Sequence, residues 1–569
     1  MRTGNLDNLD NLDNLNNLDG SNNPRNTRLM TNYWVALQFG GAKNKWTTLE
    51  HNGVLFPPPY EPHGIPVTYQ GQPVSLEPAA EELATMYARY IESDYAKKRV
   101  FNKNFWNDWK KVLGKGHSIQ NLADVDFNPI YQYLLQMKIE ARADPIVEAA
   151  RKAARAEIEL KYKTAMVDGK SQPVGNFRVE PPSIFLGRGC NPQLGKVKPR
   201  IYPEDITINI GAGVQVPEPL EGHKWKRVIH DKSVEWLAAW PDAITGKQKY
   251  VWLGAQSDFR ARNDLDKFEL ARKLGRKIKA IRAANAQNLN SPDLKVRQIA
   301  TALYFIDRFA LRVGNEKGED EADTVGVTSL RVEHTVPLSE NKIKLDFLGK
   351  DSVRYNRTLA VEPEVHRNIT EFIANKKPVD QLFDRIDSGD VNKYLQEFMP
   401  NLTAKVFRTY NASHLFQKEL DKITKKYDTY DDTDKINILL DEFNRANARV
   451  ALLCNHQKNI NKSTTTQLKK LDDTIKATKL KIKTLRAAKK PSPKRIEQLR
   501  KTLKKLQARK TIKTELKNIS LGTSKINYID PRITVAFMKK HQLPIEKIFT
   551  KTLQDKFTWA LETPVDFVF

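Results

Sequence analysis

The sequence predicts a multidomain α+β protein, with a mixed α/β part first, a mostly helical part after it, and a long antiparallel helical hairpin that precedes a small helical C-terminal domain. The length supports several domains, because 569 residues of which 40% are hydrophobic suffice for about three or four separate cores. Strand-like and helical runs alternate up to residue 361, and helical patterns dominate beyond it. Within the helical region, prolines interrupt one lysine-rich stretch whose apolar residues follow a three-four spacing.

The first 43 residues contain a near-perfect Asn-Leu-Asp repeat from Asn5 to Asp19. Such polar, low-complexity sequence predicts a disordered tail. The composition becomes that of a globular domain from Asn44 onward, and three consecutive prolines that begin at Pro57 favour edge strands and turns.

The mixed part alternates helices with short strands. Residues 81–113 read as two helices, and the second carries an apolar stripe that we expect in the core, made of Phe101, Phe105, Trp109 and Val112. A further helix is predicted over 145–166, because proline at its start fits a first helical turn. Strand-like runs follow at 206–210 and 250–253.

The next segments combine helix and hairpin patterns. Residues 297–313 predict a strongly apolar helix, and 341–361 alternate as a β-hairpin does, with Gly349 and Lys350 at the turn. Residues 460–518 predict two antiparallel helices, because one three-four stripe precedes the prolines and another follows them. The stripe residues are Leu468, Leu471, Ile475, Ile482, Leu485, Ile496, Leu499, Leu503 and Leu506.

Charge indicates the class of partner. Lys and Arg number 94 against 68 Asp and Glu, which gives a net charge of +26 and a pI near 9.6, so we expect a polyanion and foremost nucleic acid. The 460–518 hairpin holds 20 Lys and Arg against 4 Asp and Glu, a net +16. This one-sided charge favours proximity to a phosphate backbone over a solvated coiled coil.

Other compositional features concern the compartment. No run of about 18 apolar residues occurs and the N-terminus lacks an apolar signal core, so we expect neither membrane insertion nor secretion. Cys190 and Cys454 are too few for a disulfide framework or a cysteine zinc cluster, which favours a reduced intracellular compartment.

A tyrosine follows the basic hairpin in the stretch LGTSKINYIDPRIT, residues 521–534. Asp530 and Pro531 read as an N-cap and a first-turn proline, so a helix is predicted to begin at Pro531 with Tyr528 just outside it. Taken alone, Tyr528 is more simply explained as a partly buried aromatic residue. The ends of the hairpin are expected to be adjacent, which would return Tyr528 to the domain that precedes the hairpin.

Four other residues have chemistry that complements a tyrosine nucleophile. They are Arg312, Lys350, Arg408 and His456, and each alone is more often structural. Together they suit attack of a tyrosine oxygen on a phosphodiester, because two guanidinium groups and an imidazole match the charge that grows on the non-bridging oxygens. An ammonium can protonate the departing 5′ oxygen. Lys405 lies three residues before Arg408, so both can meet one phosphate from the same helical face.

From Asn44 to Phe569 the sequence resembles the eukaryotic type IB DNA topoisomerases. The motifs that carry the resemblance occur in the family's order: ALRVGNEK, ADTVG, SLRVEH, DFLGKDSVRY, LTAKVFRTYNAS, NRANARVALLCNHQ and LGTSKINYIDPRIT. The resemblance implies that Tyr528 forms a 3′-phosphotyrosyl bond, that Arg312, Arg408 and His456 hold the scissile phosphate, and that Lys350 is the general acid.

The family's fold is a two-lobed clamp that closes round double-stranded DNA. The resemblance therefore implies a disordered tail over 1–43, a cap lobe over 44–257, a catalytic lobe over 258–459, a basic coiled-coil linker over 460–518 and a C-terminal domain over 519–569. It also implies a monomer, and a nuclear site of action or, for a viral enzyme, the viral factory or virion. Further DNA-binding or camptothecin-binding positions are implied at Arg188, Asp351, Lys405, Thr523 and Asn527, while Leu186 replaces an arginine that is common in the family.

No cofactor is expected. The stretch LGKDS lacks the upstream glycine of a phosphate-binding loop, and no carboxylate cluster of the two-metal type stands out. A covalent phosphotyrosine keeps the energy of the broken bond for religation. Two alternatives remain, a tyrosine site-specific recombinase and a non-enzymatic DNA-binding clamp. Recombinases generally have His at the position of Lys405, and a clamp without catalysis would tolerate loss of Tyr528.

Overall fold

The computed structural model describes residues 44–143, 145–315, 322–427, 435–458, 462–487 and 492–569, so the predicted tail over 1–43 lies outside the described residues. The described chain forms two compact units. Unit one comprises 44–260 with 322–324, and unit two comprises 261–315 with 325–569. Within the described residues, no helix combines the length and the apolarity that crossing a bilayer requires.

Unit one contains small sheets that pack on two separate apolar clusters. The strands are β1 (Leu49–His51), β2 (Val67–Tyr69), β3 (Gln72–Val74), β4 (Val125–Asp126), β5 (Thr164–Val167), β6 (Lys170–Pro173), β7 (Ser183–Ile184), β8 (Val197–Lys198), β9 (Thr207–Asn209), β10 (Arg227–Ile229), β11 (Trp236–Pro241) and β12 (Gln248–Trp252). The sheets have the orders β1-β5-β6, β3-β2-β4, β7-β8 and β10-β9-β11-β12, in which only β9 and β10 pair in parallel. Ile208, Leu237 and Trp240 lie in the core beneath the largest sheet.

The helices of unit one are α1 (Pro78–Ala88), α2 (Arg99–Leu113), α3 (Asn128–Ala143) and α4 (Pro145–Leu160). Phe101, Phe105 and Trp109 are fully buried, which confirms the predicted stripe of α2 for these three residues. Val112 is 42% exposed, so its assignment to the core was wrong. It lies in the last turn of the helix, where the neighbouring Leu113 packs against the core and Val112 faces solvent.

The helix predicted over 145–166 ends earlier, at Leu160, and Met166 lies in strand β5. Asp168 and Gly169 both have positive φ and form the tight turn between β5 and β6. An Asp-Gly pair between two short strands is a strong hairpin signal, and it overrides the helical pattern of the preceding residues.

Unit two is mostly helical. Its helices are α5 (Asp258–Asn288), which begins at the end of unit one, α6 (Leu294–Phe309), α7 (Pro363–Ile373), α8 (Ser388–Phe398), α9 (Ala404–Tyr427), α10 (Lys435–Leu453), α11 (Lys462–Ala487), α12 (Pro493–Glu515), α13 (Leu521–Asn527), α14 (Pro531–Lys540) and α15 (Lys551–Lys556). One antiparallel sheet joins β13 (Thr335–Leu338), β14 (Lys342–Gly349) and β15 (Val353–Ala360). Gly349 pairs with Val353, which confirms the predicted hairpin and places Lys350 first in its turn.

Helix α6 ends before the predicted position at Val313. Ala310 adopts a left-handed conformation with φ of +49°, and the chain from 311 to 315 forms no regular element. The N–H of Val327 donates to the carbonyl of Arg312 at 2.9 Å, and the N–H of Thr328 donates to that of Val313 at 2.7 Å. Arg312 therefore lies on an irregular segment rather than on a helix.

Helices α11 and α12 pack side by side and run in opposite directions. Lys513 donates to Gln467 at 2.6 Å and Lys510 pairs with Asp472 at 2.5 Å. At the base of this pair, the N–H of Lys458 donates to the carbonyl of Asn518 at 2.9 Å. Ile475 and Ile482 are buried between the helices, as the three-four spacing predicts.

Candidate active site

Tyr528 lies between two helices of unit two. It follows α13 directly, and its N–H donates to the carbonyl of Ser524 at 3.0 Å. The carboxylate of Asp530 accepts the N–H of Arg532 at 2.9 Å, which confirms the predicted N-cap and the helix start at Pro531. The nucleophile candidate is thus held by a helix end on one side and a capped helix start on the other.

Three of the predicted site residues contact the Tyr528 side chain. Arg312 Nη1 donates to Tyr528 Oη at 3.0 Å. The ring of His456 stacks on the tyrosine ring with centroids 5.3 Å apart, and the guanidinium carbon of Arg408 lies 5.1 Å from the tyrosine centroid. Tyr528 is only 5% exposed, so its phenol is enclosed by cationic and aromatic groups.

The pKa of Tyr528 reflects two opposed effects. Burial disfavours the phenolate and would raise the pKa, but the charges of Arg312 and Arg408 and the hydrogen bond from Arg312 outweigh burial. Together they lower the pKa from 10.0 to about 8. A tyrosine that ionises near neutral pH is a better nucleophile precursor than an ordinary one.

Arg312 is positioned by a close approach of two backbone segments. Gly314 has a φ of +92°, and a Cβ atom there would lie 2.7 Å from the Cα of Gly326. Only glycine allows this contact, which brings the irregular segment against the loop before Val327. Substitution at Gly314 would therefore displace Arg312.

Arg408 lies on α9 and is 5% exposed. Its guanidinium donates to the carbonyls of Ala310 and Cys454, which directly follow α6 and α10. Helix C-termini carry partial negative charge, so they hold a guanidinium well. Its Nε–H is buried and has no hydrogen-bond partner among the described residues.

His456 lies just past α10 and is 7% exposed. Its Nδ1 is 2.6 Å from Ser524 Oγ, and its Nε2 is 3.4 Å from Arg408 Nη2. Burial, followed by the charges of Arg408 and Arg312, lowers the pKa of His456 from 6.5 to about 2. The imidazole is therefore neutral at physiological pH.

Two lysines border this cluster. Lys350 is half-buried in the β14–β15 turn, and burial followed by the charge of Arg312 lowers its pKa. Lys405 is near the start of α9, and burial lowers its pKa too, opposed by the influence of Tyr528. Both ammonium groups therefore release a proton more readily than an ordinary lysine does.

The remaining predicted positions are half-buried or exposed. Asp351 is exposed in the β14–β15 turn with a φ of +67°, whereas Thr523 and Asn527 are half-buried on α13. Arg188 is exposed in unit one. Leu186 packs against the apolar cluster of α1 and α2, which explains how this position accepts a leucine.

Two buried serines were missed by sequence reasoning. Ser524 contacts His456, and Ser413 Oγ donates to the carbonyl of Tyr528 at 2.9 Å while it accepts the N–H of Asp530 at 3.0 Å. Both are 0% exposed. A serine one helical turn before the tyrosine was the only available signal, and serine is too common for that spacing to stand out.

Three family models match consecutive parts of the chain. The model described as eukaryotic DNA topoisomerase I, DNA binding fragment, matches residues 44–253. The model described as eukaryotic DNA topoisomerase I, catalytic core, matches 256–489, and a C-terminal topoisomerase domain matches 500–569. Together these models include every residue of the cluster around Tyr528.

Similar proteins from several kingdoms cover nearly the whole chain. DNA topoisomerase 1 alpha of Arabidopsis thaliana is 46% identical over 93% of this chain and 60% of its own length. DNA topoisomerase 1 of Candidozyma auris is 39% identical over 93% of this chain and 84% of its own length. DNA topoisomerase 1 of Homo sapiens is 42% identical over 91% of this chain and 71% of its own length. The chain thus spans about 60% of the length of the plant relatives.

Proposed function

Because this chain belongs to the eukaryotic DNA topoisomerase I family, we propose that it is a type IB DNA topoisomerase. In this proposal it relaxes supercoiled duplex DNA without ATP or a metal ion, through a transient break in one strand. The observation that carries the proposal is the enclosed Tyr528 phenol, to which Arg312 donates and whose pKa is lowered to about 8.

Tyr528 is the nucleophile. Its Oη attacks the scissile phosphorus, so an Oη–P bond forms while the bond from phosphorus to the 5′ oxygen breaks. The 3′ phosphate stays on Tyr528, the free strand rotates, and attack by the 5′ hydroxyl reverses the exchange. Bond number is conserved in each step, which is why no external energy source is needed.

Arg312, Arg408 and His456 stabilise the transition state. Negative charge grows on the non-bridging oxygens during attack, and preorganised donors lower its energy most where water is excluded. The buried Nε–H of Arg408 supports this role, because a phosphate oxygen can supply the acceptor that the described residues do not. His456 is neutral and can donate a single ring proton in a hydrogen bond.

Lys350 is the general acid. The departing 5′ oxygen becomes an alkoxide unless it receives a proton, and Lys350 has a lowered pKa that makes this transfer easier. Its place in a tight β-turn between paired strands restricts its backbone, which favours a fixed direction of transfer.

Duplex DNA is the proposed partner, and the protein acts as a monomer. Residues 44–257 serve as the cap lobe of a clamp, residues 258–459 as its catalytic lobe, the basic hairpin over 460–518 as the linker, and 519–569 as the C-terminal domain. Arg188, Asp351, Lys405, Thr523 and Asn527 contact DNA, or an intercalated camptothecin at the nick. The site of action is the nucleus or, for a viral enzyme, the viral factory or virion.

The test is relaxation of a negatively supercoiled plasmid by purified monomer in EDTA without ATP, compared with Tyr528→Phe. The wild-type protein should yield relaxed topoisomers and a covalent DNA adduct on denaturing gels. The Phe variant should bind duplex DNA with similar affinity yet give neither product, because only the phenolic oxygen is lost. Relaxation by the Phe variant would refute the nucleophile, whereas cleavage that yields only recombinant products in a multimer would favour the recombinase alternative.

A further inference from the structure

Ser524 connects the tyrosine segment to His456 in two ways. Its hydroxyl is 2.6 Å from Nδ1 of His456, and its carbonyl accepts the N–H groups of Tyr528 and Ile529, both at 3.0 Å. The side chain is 0% exposed, so water does not compete for the hydroxyl. One residue thus fixes both the backbone that carries the nucleophile and the imidazole stacked on it.

The single ring proton of neutral His456 must lie on either Nδ1 or Nε2, and the neighbours of the ring decide which. The ring is neutral, so it carries one proton on one of two nitrogens. In this structure Arg408 Nη2 faces Nε2 at 3.4 Å, and a guanidinium has no lone pair to offer. Nε2 is therefore the acceptor, and Nδ1 carries the proton and donates to Ser524.

Donation from Nε2 to a phosphate needs the other tautomer. With the proton on Nε2, Nδ1 becomes a bare acceptor in a buried place, which is costly unless a donor reaches it. Ser524 Oγ is the group within hydrogen-bond distance of Nδ1 in the described structure. A serine hydroxyl can accept or donate, and it changes role by rotation of its hydrogen alone.

We propose that Ser524 is a positioning residue that stabilises the Nε2–H tautomer of His456 when DNA binds, by turning its hydroxyl from acceptor to donor. The proposal rests on the proposed function, since it assigns the phosphate as the partner of Nε2. One proton leaves Nδ1 and one joins Nε2 by exchange with solvent, so the net charge of the site does not change. Arg408 Nη2 keeps its hydrogen bond to the carbonyl of Cys454, and the buried Nε–H of Arg408 donates to the phosphate.

Ser413 provides a matched control. It is equally buried and also contacts the tyrosine segment, but its hydroxyl bonds only to the main chain of Tyr528 and Asp530. Loss of Ser413 should disturb the backbone without changing the tautomer of His456. The two serines therefore separate a general packing effect from the proposed one.

The experiment is a double-mutant cycle on single-turnover cleavage of a suicide duplex. Ser524→Ala should slow cleavage about 10- to 100-fold, the cost of an unsatisfied buried acceptor, with DNA affinity within about 2-fold of wild type. In a His456→Ala background the same change should have little further effect, because the acceptor is gone. Ser413→Ala should slow cleavage by the same factor in both backgrounds.

A second readout uses substrates with sulfur at either non-bridging oxygen of the scissile phosphate. The diastereomer that places sulfur against Nε2 should slow wild type most, and both His456→Ala and Ser524→Ala should reduce that penalty. Ser413→Ala should retain it. If Ser524→Ala does not fold, as judged by thermal melting, Ser524→Cys keeps the shape with a weaker donor and should cleave at a reduced rate.

The inference is overturned if Ser524→Ala or Ser524→Cys cleaves the duplex at the wild-type rate. It is also overturned if Ser524→Ala slows cleavage by the same factor in the His456→Ala background as in wild type. These outcomes differ from a failure of the proposed function, in which wild-type protein itself forms no Tyr528-dependent adduct.

Discussion

The strongest prediction concerns Arg312 and the ionisation of Tyr528. Arg312→Ala removes the hydrogen bond to Oη and the largest opposing charge, while it leaves the burial that raises the pKa. The pKa of Tyr528 should therefore rise from about 8 toward its ordinary value of 10.0, while the remaining charge of Arg408 still opposes the effect of burial. The phenolate becomes scarcer at neutral pH, and cleavage slows for that reason in addition to any loss of phosphate binding.

The magnitude follows from the two pKa values. At pH 7.5 a tyrosine with a pKa of about 8 is roughly 24% phenolate, and one with a pKa of about 10 is roughly 0.3% phenolate, a ratio of about 80. At pH 9.5 the same ratio shrinks to about 4. Loss of phenolate should thus account for up to about 80-fold of the Arg312→Ala cleavage defect at pH 7.5, and for only about 4-fold of it at pH 9.5.

Two measurements check the predicted rise of the Tyr528 pKa and the predicted cleavage defect. Difference absorbance at 295 nm between each protein and its Tyr528→Phe counterpart isolates this residue among the 18 tyrosines. Single-turnover cleavage across the same pH range reports the kinetic consequence. Arg385→Ala is the matched control, because it removes the same charge from an exposed pair with Asp384. A wild-type titration near pH 10, or an Arg312→Ala defect that is constant with pH, would refute the reasoning.

Four further predictions address other parts of the protein. Lys350→Ala should slow cleavage of ordinary DNA but not of a 5′-bridging phosphorothiolate, whose sulfur leaves unprotonated; absence of rescue would remove its role as general acid. Replacement of 460–518 by a short loop should lower the salt dependence of DNA binding in fluorescence anisotropy, since it deletes a net charge of +16; an unchanged slope would place the hairpin away from DNA. Between pH 7.5 and 5.0, the free energy of unfolding in urea should fall by about 2 kcal/mol more for wild type than for His456→Gln. The reason is that His456 is protonated below pH 6.5 in the unfolded state but stays neutral in the folded state. Equal decreases would show that His456 titrates normally when folded. Camptothecin should increase covalent complexes on denaturing gels, and Asn527→Ser should weaken that effect more than it weakens relaxation; religation indifferent to saturating drug would contradict this.

Local signals predicted the placement of several site residues. The Asp530-Pro531 pair identified a helix start and left Tyr528 just ahead of it, and alternation over 341–361 located Lys350 at a turn. These signals succeed because caps and hairpins depend on neighbouring residues alone. The helical spacing of apolar residues also identified the buried face of α2, except at its last turn.

Features that depend on distant residues could not be read from the pattern. Helix α6 ends at Phe309, and the segment after it accepts backbone hydrogen bonds from Val327 and Thr328, a partner of which an apolar run gives no sign. Helix α13 is only seven residues long and has no apolar stripe. The contacts of Ser413 and Ser524 join residues 115 and 68 positions apart, so they exist only in the folded unit.

The order of these residues along the chain also determines when the proposed catalytic site becomes complete during synthesis. Arg312 precedes its tyrosine partner by 216 positions, and the phenol is enclosed only when the final helices have packed around it. A polypeptide whose translation halts between residues 519 and 527 already contains the basic hairpin, Arg312 and Arg408, yet it lacks Tyr528, the proposed nucleophile. Under the proposed function, such truncated products keep the basic surface that would bind DNA but lack Tyr528, so only molecules synthesised past Tyr528 would nick a strand.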